Sequence, residues 1–295
     1  MPKKHLIILP CHGVWEMDLT LTTQNCGQLS ENWFLAPFQI EGNDHLVFIK
    51  QSLRAVEELL SSYDQGVILF SGSQTKTDAG PISEAQSYFM LIQKLITLAF
   101  EDAEKKSLIQ VFKEDIISSL STIVSLMELR NITLSDLFTT GVINTEEYSL
   151  DSFDNLLYSI FRFKEITNTF PERITIVGFG FKESRFLNYH AKALDIPKEM
   201  INYISYDPEP LDYSPKQLDQ YFTTLTKMEH KNALSLFDKD WYAKREILLR
   251  KKEGRNSYKR VASYNGLEKL HLDNIMETDE AHYQTYIKGK MPWSQ

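Results

Sequence analysis

The chain has 295 residues, 42% of them hydrophobic, with a formal net charge of −8 at pH 7. That length accommodates one large α/β domain or a core domain with an extension, and the apolar fraction suffices for a sizeable buried core. The acidic balance gives the molecule as a whole no attraction for nucleic acid or an anionic membrane, and Cys11 and Cys26 are too few for a disulfide scaffold or a structural zinc site.

Residues 5–9 form a short apolar run that reads as a buried strand. Lys3-Lys4 precedes it, but Pro10 and His12 end it too soon for a signal peptide, and no apolar stretch approaches the length of a membrane span. A reduced, cytoplasmic protein is therefore expected. A polar loop through Gln24, Gly27 and Gly42 leads to an amphipathic helix over 48–60, with Ile49, Leu53, Val56 and Leu60 on one face. Residues 67–70 read as the second strand. Ser71-Gly72-Ser73-Gln74-Thr75 follows at once, and the chain passes Gly80-Pro81 to a capping box, Ser83 with Gln86.

Residues 97–143 read as a mostly helical insertion without a clear strand. Asp151 or Ser152 opens a helix whose Phe153, Leu156, Leu157, Ile160 and Phe161 make a core-facing stripe. A third strand is expected over 173–179 and a helix over 183–194. Strands alternating with helices predict a Rossmann-like three-layer α/β fold with a mainly parallel sheet, a helical insertion and a C-terminal helical extension. The boundaries are 1–217 for the α/β domain and 218–295 for the extension packed on it. Between Lys227 and Arg260 the chain carries 11 Lys or Arg against five Asp or Glu. That tail is either a basic arm reaching an anionic ligand or RNA, or a solvated helix packing Leu248 and Leu249 on the domain.

Chemistry is expected where the strands end, since open parallel sheets bind ligands at their carboxyl edge. His12, after the first strand, suits a general acid/base or a phosphate donor, or is a structural loop residue; Cys11 reads as a buried, inert thiol. After the second strand, Ser71, Gly72, Gln74 and Thr75 offer hydroxyl, amide and close backbone approach to a phosphate or sugar, with the helix dipole behind them. The loop is neither a Walker A sequence nor a dinucleotide glycine fingerprint. Glu84, in the first turn of the next helix, suits a base, a ribose acceptor or a metal ligand, or complements the dipole. Ser152 and Asn155, three apart, share a helix face. Lys182 and Arg185 open a helix against the dipole preference, which anion binding explains.

This run of motifs resembles the DUF218 family, the group of bacterial YdcF, SanA and ElyC proteins, and especially its longer fungal form. The residues that carry the resemblance are Cys11-His12-Gly13-Val14-Trp15, 31–39, 70–75 with 80–85, 151–156, 177–186 and the tail segments 237–240 and 251–256. It touches most of the chain except the insertion. It implies a Rossmann-like sheet with the site in those loops, and places Ser71, Gly72, Glu84, Ser152, Asn155 and Arg185 at positions matching the family pattern. Ser73 stands where the family usually has a second Gly, and Lys182 where bacterial members usually have His. The latter change replaces a titratable group by a cation.

Together these features predict a protein that binds a small anionic, nucleotide-like metabolite. The loop 71–75 with Lys182 and Arg185 holds the anion, Glu84 and Asn155 orient the sugar or a water, His12 lines the mouth, and Arg250 and Arg255 close the site from the tail. If the protein is an enzyme, the reaction expected is phosphoester or nucleotide hydrolysis with Glu84 or His12 as general base. The rival readings are a non-catalytic sensor or interaction module, and an S-adenosylmethionine-binding protein. No residues are assigned to a metal site, and S-adenosylmethionine and Mg²⁺ are the cofactors left open. The oligomeric state is not legible.

Overall fold

Five parallel strands form the central sheet: β1 (His5–Pro10), β2 (Gly66–Ser71), β3 (Ile143–Glu146), β4 (Arg173–Phe179) and β5 (Ile201–Tyr206). The structure, a computed structural model, describes residues 2–294. Spatially the strands run β3-β2-β1-β4-β5, all parallel, with Ile7 of β1 level with Ile68 on one side and Thr175 on the other. This is the expected Rossmann-like three-layer α/β fold.

The alternation of side chains along each strand divides the core in two. Ile7, Leu9, Ile68 and Phe70 face one layer; Leu6, Ile8, Val67 and Leu69 face the other. Because helices cover both faces, β1 and β2 are buried throughout, and this is why they read as continuous apolar runs. The first layer holds α1 (Asp44–Ser61) and α2 (Glu84–Phe100), then α3 (Asp102–Val111), α4 (Glu114–Arg130) and α5 (Leu134–Thr139) of the insertion. Ser83 caps α2 by accepting from the Gln86 N–H, as the capping box predicts. The second layer is built on α6 (Ser152–Thr167), whose predicted stripe is buried.

Three features differ from the sequence expectation. Strands β3 and β5 went unread, since both lie at sheet edges and mix apolar with polar residues such as Asn144 and Ser205. A two-residue ladder, Val14–Trp15 against Trp33–Phe34, folds over the end of β1. The helix expected over 183–194 starts with a tight turn at Gly180–Lys182 and widens into a π-helical turn at Arg185–His190.

The tail is less helical than its composition suggests. Helix α7 (Pro215–Glu229) begins ahead of the expected boundary, and α8 (Glu246–Arg255) forms, but beyond Asn256 only short turns and one-turn helices follow. Its apolar residues are nevertheless core. Phe237, Tyr242, Leu248, Ile287 and Trp293 join the second layer, and Trp293 Nε1 donates to the Leu194 carbonyl at 2.7 Å. Leu249, expected to pack beside Leu248, is 38% exposed and stays outside that core. Among the described residues no helix is long and apolar enough to cross a membrane.

Candidate functional site

The strand order reverses at β1: the chain leaves it towards β2 and β3, then returns to its other side through β4 and β5. A sheet of this order opens a crevice at the carboxyl ends of its central strands. A cavity of about 930 Å³ lies there. His12 enters it from the end of β1, Thr75, Lys76 and Glu84 from the segment after β2, and Ser152 and Asn155 from the first turn of α6. Lys182 and Arg185 enter from beyond β4, while α7 forms a roof with Tyr221, Leu225 and Met228. Helix α8 contributes Lys251 and Arg255.

The start of the loop after β2, where the sequence leads one to expect free amides, turns its backbone to the protein. The Gly72 and Ser73 N–H groups donate to the Glu146 and Ser149 carbonyls. At the start of α2 the Glu84 and Ala85 N–H groups donate back to Ser73 and Gly72, and Ser83 takes the Gln86 N–H. The Gly72, Ser73, Glu84, Ala85 and Gln86 amides are thus already bonded within the protein. Ser71, Gly72 and Gln74 stand behind the cavity wall. Ser71 Oγ donates to Glu146 Oε2 at 2.8 Å and accepts from Asn155 Nδ2 at 2.9 Å; buried Gln74 accepts from Ser73 Oγ. Gly72 makes room: a Cβ there would stand 2.7 Å from Glu84 Oε2 and 3.0 Å from Cys11 Cβ.

Side chains, not amides, set the electrostatics. Lys76, Lys182, Lys251 and Arg255 face the cavity and form no ion pair among the described residues. Lys251 and Arg255 are steadied by the Asn232 and Leu150 carbonyls. Arg185 differs, for Glu229 grips its guanidinium at both Nε and Nη2, so its charge is compensated. Arg250 lies outside, in an exposed pair with Glu246. Between Lys251 and Arg255, the Lys252 ammonium turns inwards to Asp154 (2.6 Å) and Asp151 (3.2 Å). Burial pulls its pKa down, but the two carboxylates raise it by more.

Of the five acids that line the cavity, Asp151 and Glu229 are paired with cations, Glu84 and Asp44 are inclined to neutrality, and Glu41, exposed at the rim, accepts from the Tyr213 hydroxyl. Burial pushes Glu84 up to about 7, against the Thr75 hydroxyl that donates to it and against nearby Lys76. Burial also raises Asp44 to about 7, opposed by Lys182. Lys182 is itself lowered to about 7 by burial and then by Arg185. Its ammonium lies 3.0 Å from His12 Nε2, and the His12 ring stacks on Phe179. Burial and then Lys182 hold His12 well below its usual range, so it is a neutral acceptor. Cys11 is pushed well up by burial and is an inert thiol.

Two residues of the site carried no sequence signal. His190 Nε2 lies 2.8 Å from Ser152 Oγ, which also accepts from Arg185 Nη1 at 3.3 Å. In an α-helix residues five apart diverge by roughly 140°; the π-helical turn brings Arg185 and His190 to one hydroxyl. Asp44 opens α1 at a position that reads as dipole complementation, yet its carboxyl makes no hydrogen bond among the described residues, and Oδ1 is sealed from solvent. No cluster of three metal-ligating side chains occurs among the described residues.

No family model and no solved structure matches the chain. Over 298 aligned residues it is 47% identical to the uncharacterized protein YOR238W of Saccharomyces cerevisiae, spanning 99% of this chain and 98% of the yeast protein. Similarity of that degree along both whole chains covers the sheet, the insertion and the tail alike, and the chain belongs to the family of that yeast protein.

Proposed function

We propose that this cavity binds a small anionic, nucleotide-like metabolite, held by side-chain cations contributed from three separate parts of the chain. The observation that carries the reading is the set of four basic side chains without an ion pair among the described residues, Lys76, Lys182, Lys251 and Arg255, around a cavity whose acids, except exposed Glu41, are paired or raised towards neutrality. Uncompensated positive charge under low-dielectric walls favours an anion. The volume falls in the range of small-molecule sites, roughly 300–1,000 Å³. Phe181, stacked on Phe179, and Tyr221 on the roof offer flat apolar faces suited to a base.

The same geometry supports phosphoester hydrolysis as the reaction class. Glu84, with its pKa near 7, can hold or release a proton at neutral pH, and Lys182 beside neutral His12 can neutralise charge developing on a phosphoryl oxygen. A non-catalytic sensor is favoured by a different observation: Glu84 is almost wholly buried and its carboxyl already holds the Thr75 hydroxyl.

A thermal-shift screen against nucleotides, sugar phosphates and S-adenosylmethionine, with and without Mg²⁺, tests the reading. An anion at 100 times its Kd stabilises by about 2.7 kcal/mol, and Lys182→Glu removes the shift. S-adenosylmethionine, whose sulfonium opposes the cations, gives the smaller response. Absence of a shift from any anion overturns the proposal. Glu84→Gln separates the two classes: for a hydrolase it abolishes turnover and spares binding, whereas a sensor shows no turnover in either form.

A further inference from the structure

We infer that Asp44 and Tyr221 together recognise a hydroxyl group of the bound anion, so that the ligand is a phosphorylated polyol or nucleoside and not a bare anion. The inference rests on the cavity being an anion site, and it starts from groups that this reading leaves unexplained. Asp44 is 4% exposed, lines the cavity and has no hydrogen-bond donor among the described residues. A buried carboxyl without a partner is costly, and such groups in native proteins ask for an explanation.

Complementing the helix dipole does not supply one. Asp44 is the first residue of α1, where a carboxylate ordinarily takes free N–H groups, but no N–H of that turn donates to it. The Tyr221 hydroxyl on the roof is likewise without a hydrogen bond among the described residues. The two groups converge beside Gly42: a Cβ on that glycine would stand 2.7 Å from the Tyr221 oxygen and would collide with Asp44 Oδ1. Both oxygens thus crowd one point beside the backbone, which brings the carboxyl and the phenol close together.

Their chemistry selects the partner. Ionised Asp44 only accepts, and the phenol can donate, so a group that donates to the one and accepts from the other serves both. An alcohol does this. An ammonium would lie near Lys182, which already acts on Asp44, and a phosphoryl oxygen has no proton to give the ionised carboxyl. The cations thus take the anionic end of the ligand, and the Asp44–Tyr221 pair takes a hydroxyl on its body.

Isothermal titration calorimetry of the full chain with ribose 5-phosphate, adenosine monophosphate and pyrophosphate tests this. The wild type is expected to prefer at least one hydroxylated phosphate over pyrophosphate. Asp44→Ala and Tyr221→Phe each lower affinity for that phosphate tenfold or more, as loss of a hydrogen bond to a charged group implies, while affinity for pyrophosphate holds or tightens. Tyr221→Phe keeps the ring and guards against a folding defect in the other variant. Equal losses for pyrophosphate, or unchanged affinity for the hydroxylated ligand because a water alone fills the space, overturn the inference and leave the anion site standing. Failure of the wild type to bind any of the three overturns the anion site itself.

Discussion

Glu84 sits on the cavity floor as a carboxyl that holds its proton, and Glu84→Gln measures by how much. Burial raises its pKa from 4.5 to about 7, despite the Thr75 hydroxyl and nearby Lys76. Between those two values the folded chain keeps a proton that the unfolded chain has released. The associated stability is fully present below pH 4.5 and is lost as pH rises through about 7. At about 1.36 kcal/mol per pH unit, the interval corresponds to roughly 3 kcal/mol. Gln has the same shape, stays neutral and still accepts from Thr75. Urea titrations at pH 4.5, 6, 7 and 8, extrapolated to water, should therefore show the variant gaining roughly 3 kcal/mol on the wild type across the series. Asp44 and Lys182 also titrate near 7, but they do so in both proteins and drop out of the difference. A difference that stays flat within about 0.5 kcal/mol would mean that Glu84 ionises freely and that the floor of the cavity is wet.

Gly72→Ala should destabilise by about 1–3 kcal/mol in urea unfolding, because the added methyl meets Glu84 Oε2 and Cys11 Cβ, neither of which can move far. Lys252→Met should cost about 3–5 kcal/mol by leaving Asp151 and Asp154 buried without their cation; recovery on also replacing Asp154 by Asn would tie the loss to that pair. Trp293→Ala should cost about 3–5 kcal/mol in the same assay, since the indole is buried in the second core layer and bonded to Leu194, whereas an extension merely resting on the domain would give far less. Arg250→Ala should change stability by no more than about 0.5 kcal/mol and leave anion-induced thermal shifts intact, in contrast to Arg255→Ala, which should reduce them.

What was legible in the residues follows from burial. Strands β1, β2 and β4 are covered on both faces, so apolar runs mark them, and β4 occupies the residues that the pattern predicts. Edge strands β3 and β5 have polar residues because one side of each meets no further strand, and period and composition then say little. At the site, local signals led to Glu84, Ser152, Lys182 and Arg185, all of which reach the cavity. The same signals made the loop 71–75 look like an amide cradle. Glu146 decides otherwise: it takes the Ser71, Ser149 and Tyr264 hydroxyls, and its own carbonyl takes the Gly72 N–H. Those partners lie more than 70 residues from Ser71 or more than 100 from Glu146, except Ser149, and no local pattern encodes them. Asp44 and Tyr221 gave no local signal either, since what sets them apart is the lack of a hydrogen bond among the described residues.

A glycine-rich phosphate loop brings its donors with the fold, as backbone amides at a helix start. Here the Gly72, Ser73, Glu84 and Ala85 amides are closed by the protein, and positive charge comes from side chains on elements far apart in sequence. Lys76 follows β2 and Lys182 follows β4, but Lys251 and Arg255 arrive only when the tail docks α8 beside α6. The anchor for that docking is Lys252, between them in sequence and turned the opposite way onto Asp151 and Asp154, the cap and first turn of α6. Half of the unpaired cations therefore depend on a buried ion pair at the very helix that supplies Ser152 and Asn155. The basic tail is in this sense neither a free arm nor a mere solvated helix: its buried lysine ties α8 to the start of α6, and Lys251 and Arg255 on either side of it line the cavity.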